Sequence, residues 1–296
     1  MTSTFSSVGS RRASRRAGKT ILTIAVWVCV AYFLLPLIWL ILSSTKTQGD
    51  LFSTFGFAFG NSFALWDNVV AVFEQGDGIY GRWMINTLIY SGVSAVGAAL
   101  LAAAAGYGFA KFDFRGRGVM LIIVLGALMV PTAALAIPTY FLFSDLQLTN
   151  TMLAVIVPSL VSPFGVFLMR FYASEAVPDS LIEAARIDGA SEWRIFAQIA
   201  MRLLLPATAT VLLFALVHTW NNYLLPLIML NTSELFPVTV GLASWQSEAL
   251  GASGGAQALF NVVITGATIS LLPIVVAFLF LQRYWQSGLA EGGVKA

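Results

Sequence analysis

The sequence predicts an all-α integral membrane protein: a bundle of six transmembrane helices with both termini cytoplasmic. Three observations carry this. First, of 296 residues 58% are hydrophobic and only 10% charged, where a soluble domain carries about 25% charged residues. The mean hydropathy is +0.83. A surface this poor in charge does not stay wet. That excludes a soluble enzyme, a disordered chain and a nucleic-acid binder working through a basic face. Second, six stretches lack Asp, Glu, Lys and Arg: 20–45, 83–110, 118–144, 146–169, 203–233 and 249–282. All exceed the roughly 20 residues that span a bilayer, and backbone buried in lipid must bond internally, so they read as helices. Third, with an inside N-terminus, 14 of the Lys and Arg residues fall inside and only Lys46 and Arg82 outside. That asymmetry sets orientation.

Residues 1–19 form a basic cytoplasmic segment with Arg11, Arg12, Arg15, Arg16 and Lys19. It reads as a topology signal that also touches anionic membrane lipid. The apolar stretch after it is too long for a signal-peptide core and lacks a small-residue cleavage site, so it reads as a retained first span. The stretch 51–66 is too short to span and is dense in Phe and Gly. It reads as an interfacial loop or short helix. The second span carries two rows at spacing four: Ser94, Ala98, Ala102, Gly106, Ala110 and Ser91, Ala95, Ala99, Ala103. Small side chains on one face let helices approach closely. Prolines at 36, 131, 138, 158, 163, 206, 226 and 273 each remove a donor and bend the helix they interrupt.

The longest cytoplasmic stretch, 170–202, joins the fourth and fifth spans. Within it, Ser180-x-x-Glu183 has the spacing of a capping box. Gly189 is placed to stop the helix in a left-handed conformation, and Ser191 to cap a second helix through Trp193 and Phe196. The product is a short amphipathic helix, a tight turn and another helix. Two readings stand: an element that lies on the membrane surface, or one that docks a partner protein. The outer stretch 231–257 reads as a loop rich in Gly, Ala and Ser around Trp245. Residues 20–282 thus form one six-helix transmembrane domain, followed by a cytoplasmic tail, 283–296, with a Gly-rich end.

Two catalytic patterns fail. Gly18-Lys19-Thr20 lacks the earlier glycine and the preceding strand of a phosphate-binding loop. Gly251-Ala252-Ser253-Gly254-Gly255 fits a nucleophile elbow literally, but the single histidine, His218, lies upstream, against the order that motif needs. One Cys and one His offer no zinc spacing. The reading is a non-enzyme with no metal site.

Here the chain resembles a known family. Glu183-Ala184-Ala185, three residues, Gly189, nine residues, Ile199 is similar to the EAA motif of bacterial ABC-importer permeases. Arg186-Ile187-Asp188-Gly189-Ala190-Ser191 resembles its extended form in carbohydrate permeases. Asn86-Thr87-Leu88, Tyr107 to Arg117, Ile137-Pro138-Thr139-Tyr140, Pro163 to Arg170 and Trp220-Asn221-Asn222-Tyr223 also resemble maltose-transporter-type permeases. The resemblance implies a type I importer bundle in the bacterial plasma membrane, passing a sugar, with an oligosaccharide the leading candidate. It implies that Glu183, Ala184, Ala185, Asp188 and Gly189 couple to cytoplasmic ATP-binding subunits that work as a pair. It further implies a second homologous permease and an extracytoplasmic solute-binding protein, which would meet the outer loop at Trp245 and Ser253. This chain would bind no cofactor, with ATP-Mg held on the partner subunits. One departure stands out: where the family closes its motif with Ile-x-Leu-Pro, this chain has Ile199-Ala200-Met201-Arg202, which predicts a straighter exit from the segment.

His218, Trp220, Asn221, Asn222 and Tyr223 are candidate pathway residues, since polar groups within a span are costly. Interhelical hydrogen bonding explains them equally well. The rival function is an ion-gradient-driven secondary transporter. The absence of acids from all six windows argues against it.

Overall fold

The computed structural model describes residues 7–251 and 259–292, with side chains for 19–251 and 259–282. The helices are α1 (Ser7–Ser44), α2 (Gln48–Ser53), α3 (Leu65–Glu74), α4 (Ile79–Lys111), α5 (Arg117–Ala127), α6 (Thr132–Asp145) and α7 (Leu153–Ser159). They continue as α8 (Pro163–Ala176), α9 (Asp179–Ile187), α10 (Glu192–Arg194), α11 (Met201–Trp220), α12 (Leu224–Met229), α13 (Val238–Gly251) and α14 (Leu259–Gly292). No strand occurs among the described residues. Five helical stretches are long and apolar enough to cross a membrane, and the bent pair α5–α6 makes a sixth.

The central helix is α4, packed against α8 and α11. Both rows of small residues are buried along it, Ala110 alone being partly open. The spacing matters because the backbones nearly touch. A Cβ added at Gly106 would lie 2.5 Å from the Met169 side chain and 2.6 Å from the Arg170 backbone. One at Gly165 would lie 2.8 Å from Val211 and 3.0 Å from Ala102. Two ends result. Lys111 closes α4 at one, and Tyr80 and Trp83 open it at the other. A helix of this length separates them by about 50 Å.

At the Tyr80 end, α4 holds its neighbours through side chain to backbone bonds. Tyr80 donates to the Gly266 carbonyl at 2.7 Å and Trp83 to that of Ser233 at 2.8 Å. Asn86 donates to the carbonyls of Glu234 and Phe236, and the Thr87 hydroxyl accepts from the Val238 amide. Asn150, held at φ 57°, accepts from the amides of Asn231 and Thr232. Polar residues inside an apolar helix are thus matched to the irregular backbone that lipid would not solvate.

Several expectations change. The third window is broken: α5 and α6 meet at 106°. Pro131 lacks a donor and drives the residue before it out of helical geometry. The fifth window ends its long helix at Trp220 and continues as α12. The sixth starts later than expected, because 249–251 close α13 rather than open the last span. Much of the stretch read as an outer loop, 231–257, is α13 itself. At the termini, α1 includes part of the basic segment from Ser7, and α14 runs to Gly292, so the boundaries at 19 and 283 fall inside helices.

Candidate functional site

The candidate coupling segment begins where α8 stops at Ala176. Val177 is buried and extended, and Pro178 (φ −65°, ψ 136°) is the residue before α9. A proline there is already set for entry into a helix, and its missing donor costs nothing at that end. This overturns the expected capping box. With Pro178 in the cap position, Ser180 is already inside the helix, and no side chain caps α9. Asp179 takes the first helical position, where a carboxylate faces the positive end of the helix dipole. It accepts from Lys111 Nζ at 2.7 Å. Lys111 sits at the C-terminus of α4, where a cation is favoured, so one ion pair ties two helix ends together.

Ile182 and Ala185 turn inward, packing in one cluster with Tyr107, Met169, Val177 and Ile195. The outward face carries Leu181, Glu183, Ala184, Ile187, Asp188 and Gly189, with Ile187 86% exposed. Gly189 has φ +79°. Its amide donates to the Arg186 carbonyl and the Ala190 amide to the Ala185 carbonyl, both at 3.0 Å. That pair of bonds is the Schellman motif, which needs a left-handed residue at this place. Nothing lies within 4 Å of a Cβ built on Gly189; the requirement is one of backbone angle and not of space within this chain.

Ser191 caps α10 as expected, accepting from the Arg194 amide. Across the turn, Arg186 grips Glu192 with two bonds of 2.6 and 3.2 Å. The hydrogen bond to Glu192 pushes the Arg186 guanidinium above its ordinary pKa. Residues Ile195–Ala200 then form a π-helix that leads into α11 without a break. With Arg202 in place of proline, the chain keeps the backbone donor at that position and continues as helix. Two concavities flank the segment. One, about 280 Å³, is lined by Lys111, Asp113, Arg117, Asp179, Glu183 and Arg186. The other, about 220 Å³, is lined by Tyr107, Phe112, Trp193 and Phe196 among others. Trp193 is 74% exposed, and Phe196 lies between it and Tyr107 in tilted ring contact with both.

Sequence reasoning missed Lys111, which it read only as a topology charge. It also missed the π-helix, for which the sole signal was the missing proline at 202.

The candidate pathway residues gather at the far end of α11 without forming one surface. His218 and Asn221 are exposed, Asn222 is half-buried and Tyr223 is exposed. Both asparagines serve the helix break: Asn221 donates to the Val217 carbonyl, and Asn222 accepts from the Leu225 amide. Trp220 is buried, which leaves no open face for a sugar in this conformation. Trp245 requires a similar correction. It lies on α13, 4% exposed, with its ring 4.7 Å from that of Trp83, and a partner has no access to it there. The site read at Ser253 lies outside the described residues.

Comparison with known proteins places this geometry. Residues 95–290 match the family described as binding-protein-dependent transport system inner membrane component. The arabinooligosaccharides transport system permease protein AraQ of Halalkalibacterium halodurans is 36% identical over 261 residues, covering 88% of this chain and 90% of that one. AraQ of Bacillus subtilis is 33% identical over 275 residues, covering 93% and 95%. A chain from the crystal structure of a bacterial ABC transporter importing the acidic polysaccharide alginate superposes with a TM-score of 0.77. It covers 96% of this chain and 100% of its own, at 21% identity, a likeness of fold. The family removes the ion-gradient reading. The chain belongs to the binding-protein-dependent transport system inner membrane components, and is a multi-pass inner-membrane permease of an ABC importer, a transport component and not an enzyme.

Proposed function

We propose that this chain is one of two homologous permeases in an importer for an oligosaccharide, and that its 170–202 segment couples transport to a pair of cytoplasmic ATPase subunits. The observation that carries the coupling role is the Schellman-closed α9 turn, which presents Glu183, Ala184, Ile187, Asp188 and Gly189 outward on a rigid, internally bonded mount. An apolar residue as exposed as Ile187 favours a protein partner. The 14-to-2 division of basic residues supports a cytoplasmic position for this end of α4. ATP and Mg are bound by the partner subunits, and a solute-binding protein delivers the sugar at the Tyr80 end. Each ligand shifts the access equilibrium only by its difference in affinity between the two states. Arabinooligosaccharides, for which both AraQ relatives are named, are the first solutes to test.

The test is co-purification of the ATPase subunit with tagged permease carrying Gly189→Asp or Ile187→Asp, with binding-protein-stimulated ATP hydrolysis measured alongside. Both variants should insert normally, lose most of the partner and lose stimulation at least tenfold. Retained partner and full stimulation in both would remove the coupling role. Uptake of labelled arabinooligosaccharides against a panel of other oligosaccharides tests the solute separately.

A further inference from the structure

Between α1 and α3 the chain makes a closed loop that exposes a series of aromatic rings, with Ser53, Ala58, Asn61 and Ser62 exposed among them. Its ends meet where the Ala64 amide donates to the Thr45 carbonyl at 2.8 Å. No Asp, Glu, Lys or Arg occurs from residue 51 to 66. Phe52, Phe55, Phe57, Phe59, Phe63 and Trp66 are all exposed, four of them by 66% or more.

The two charged side chains of this loop turn inward and are satisfied by its own polar and backbone groups. Lys46, fully buried, donates to the Phe55 carbonyl at 2.9 Å. Asp50, 6% exposed, accepts from the Asn61 amide and side chain, from Thr47 and from the Ser62 amide. Gly60 is pressed so near Asp50 that a Cβ there would lie 2.7 Å from its carboxylate. Asn68 donates to the carbonyls of Ser44 and Lys46, and Asn261 of α14 donates to Lys46 as well. The arrangement sequesters the only cation and the only carboxylate of 45–64 and leaves aromatic rings outside.

The loop also folds back along α1. A Cβ on Gly56 would lie 3.0 Å from the Trp39 indole nitrogen. Trp39 stands five residues before the end of α1 at Ser44, about 8 Å along its axis. Helical side chains lean toward the N-terminus, so the indole lies deeper still. The loop therefore descends beside a span whose apolar window is 0% buried within the chain. An apolar span of 26 residues is about 39 Å long against a hydrocarbon core of about 30 Å. That sets Trp39 near the edge of the core, the depth at which aromatic rings are enriched.

We propose that residues 52–66 form an aromatic foot seated in the outer leaflet of the lipid bilayer, continuous with the exposed apolar surface of α1. Its occupant is lipid. A buried cation and carboxylate suit a surface that faces hydrocarbon and would be wasted on one that faces water. Anchoring α1 and α3 together at the interface holds the Tyr80 end of the bundle at a fixed depth while the helices move.

Spin labels test this directly. Single cysteines at Phe55→Cys, Phe59→Cys and Phe63→Cys, each with Cys29→Ser, are labelled with a nitroxide in the assembled importer. The complex is placed in nanodiscs of phosphatidylethanolamine and phosphatidylglycerol. Collision with oxygen should exceed collision with a water-soluble nickel chelate severalfold at all three positions, as at a Phe33→Cys control on α1. A Ser247→Cys control should show the reverse. Preference for the nickel chelate at the loop would overturn the proposal. Loss of access to both reagents would also overturn it, showing that the second permease or the binding protein covers these rings.

Discussion

At the scale of single residues, glycines separate space from backbone angle. Gly106 and Gly108 lie two positions apart on α4. A Cβ on Gly106 meets Met169 and the Arg170 backbone inside 2.7 Å, whereas one on Gly108 meets nothing within 4 Å. Gly106→Ala should cost about 1–3 kcal/mol through overpacking and lower the midpoint of thermal unfolding in detergent. Gly108→Ala should be neutral or stabilise by up to about 1 kcal/mol, since glycine loses more conformational freedom than alanine on entering a helix. Equal effects from the two would mean that α4 and α8 do not approach as closely as found. Gly189 is the opposite case, open in space but fixed at φ +79°. Glu183 needs a new account: Pro178 holds the cap position, so Glu183 has no part in starting α9. Glu183→Gln should therefore leave thermal stability within about 0.5 kcal/mol while lowering stimulated ATP hydrolysis. A large loss of stability would place Glu183 in the fold and not at the partner surface.

Among elements, α9 and α4 are joined at their ends by Lys111 and Asp179. Lys111 is nearly buried and Asp179 largely exposed, at 6% and 77% of their side chains. Such a half-exposed pair contributes below about 1 kcal/mol, so its value lies in position more than in stability. Lys111→Ala and Asp179→Ala should each reduce ATPase stimulation several-fold without preventing insertion, and the double variant should do little more than either alone. Full additivity, read from a double-mutant cycle of stimulated hydrolysis, would show that the two residues act separately. The π-helix after α10 is a second joint. It carries Phe196 against Tyr107, so the candidate coupling segment and the core of α4 share one cluster of tilted aromatic rings.

For the whole molecule, the two ends of α4 define opposite faces. One carries α9 and its charged surroundings, the other the α13 aromatic cluster with Trp83 and Trp245. In a Cys29→Ser background, cysteine at Ser247 should react with a membrane-impermeant thiol reagent in intact cells, and cysteine at Ser191 should react only after lysis. Labelling at Ser191 in intact cells would reverse the orientation drawn from the basic residues.

What the sequence determined on its own was local or summed over the chain. Charge-free windows mark most spans because a charge in hydrocarbon is expensive wherever it sits. The rows of Ala, Ser and Gly on α4 mark its packing face because helical periodicity is a property of the chain itself. The turn at Gly189 was legible because few residues take a left-handed angle without strain. What tertiary structure alone decided depends on neighbours distant in sequence. Pro178 and Ser180 both suit a helix start, and the chosen entry from α8 gave the place to Pro178. Trp245 looked like an exposed loop aromatic until α4 supplied Trp83 as its partner 162 positions away. Lys111 looked like a topology charge until α9 brought Asp179 to it. The inward turn of Lys46 and Asp50, which leaves the aromatic rings outside, has no local signature. It follows from hydrogen bonds to backbone groups that only the folded loop places within reach.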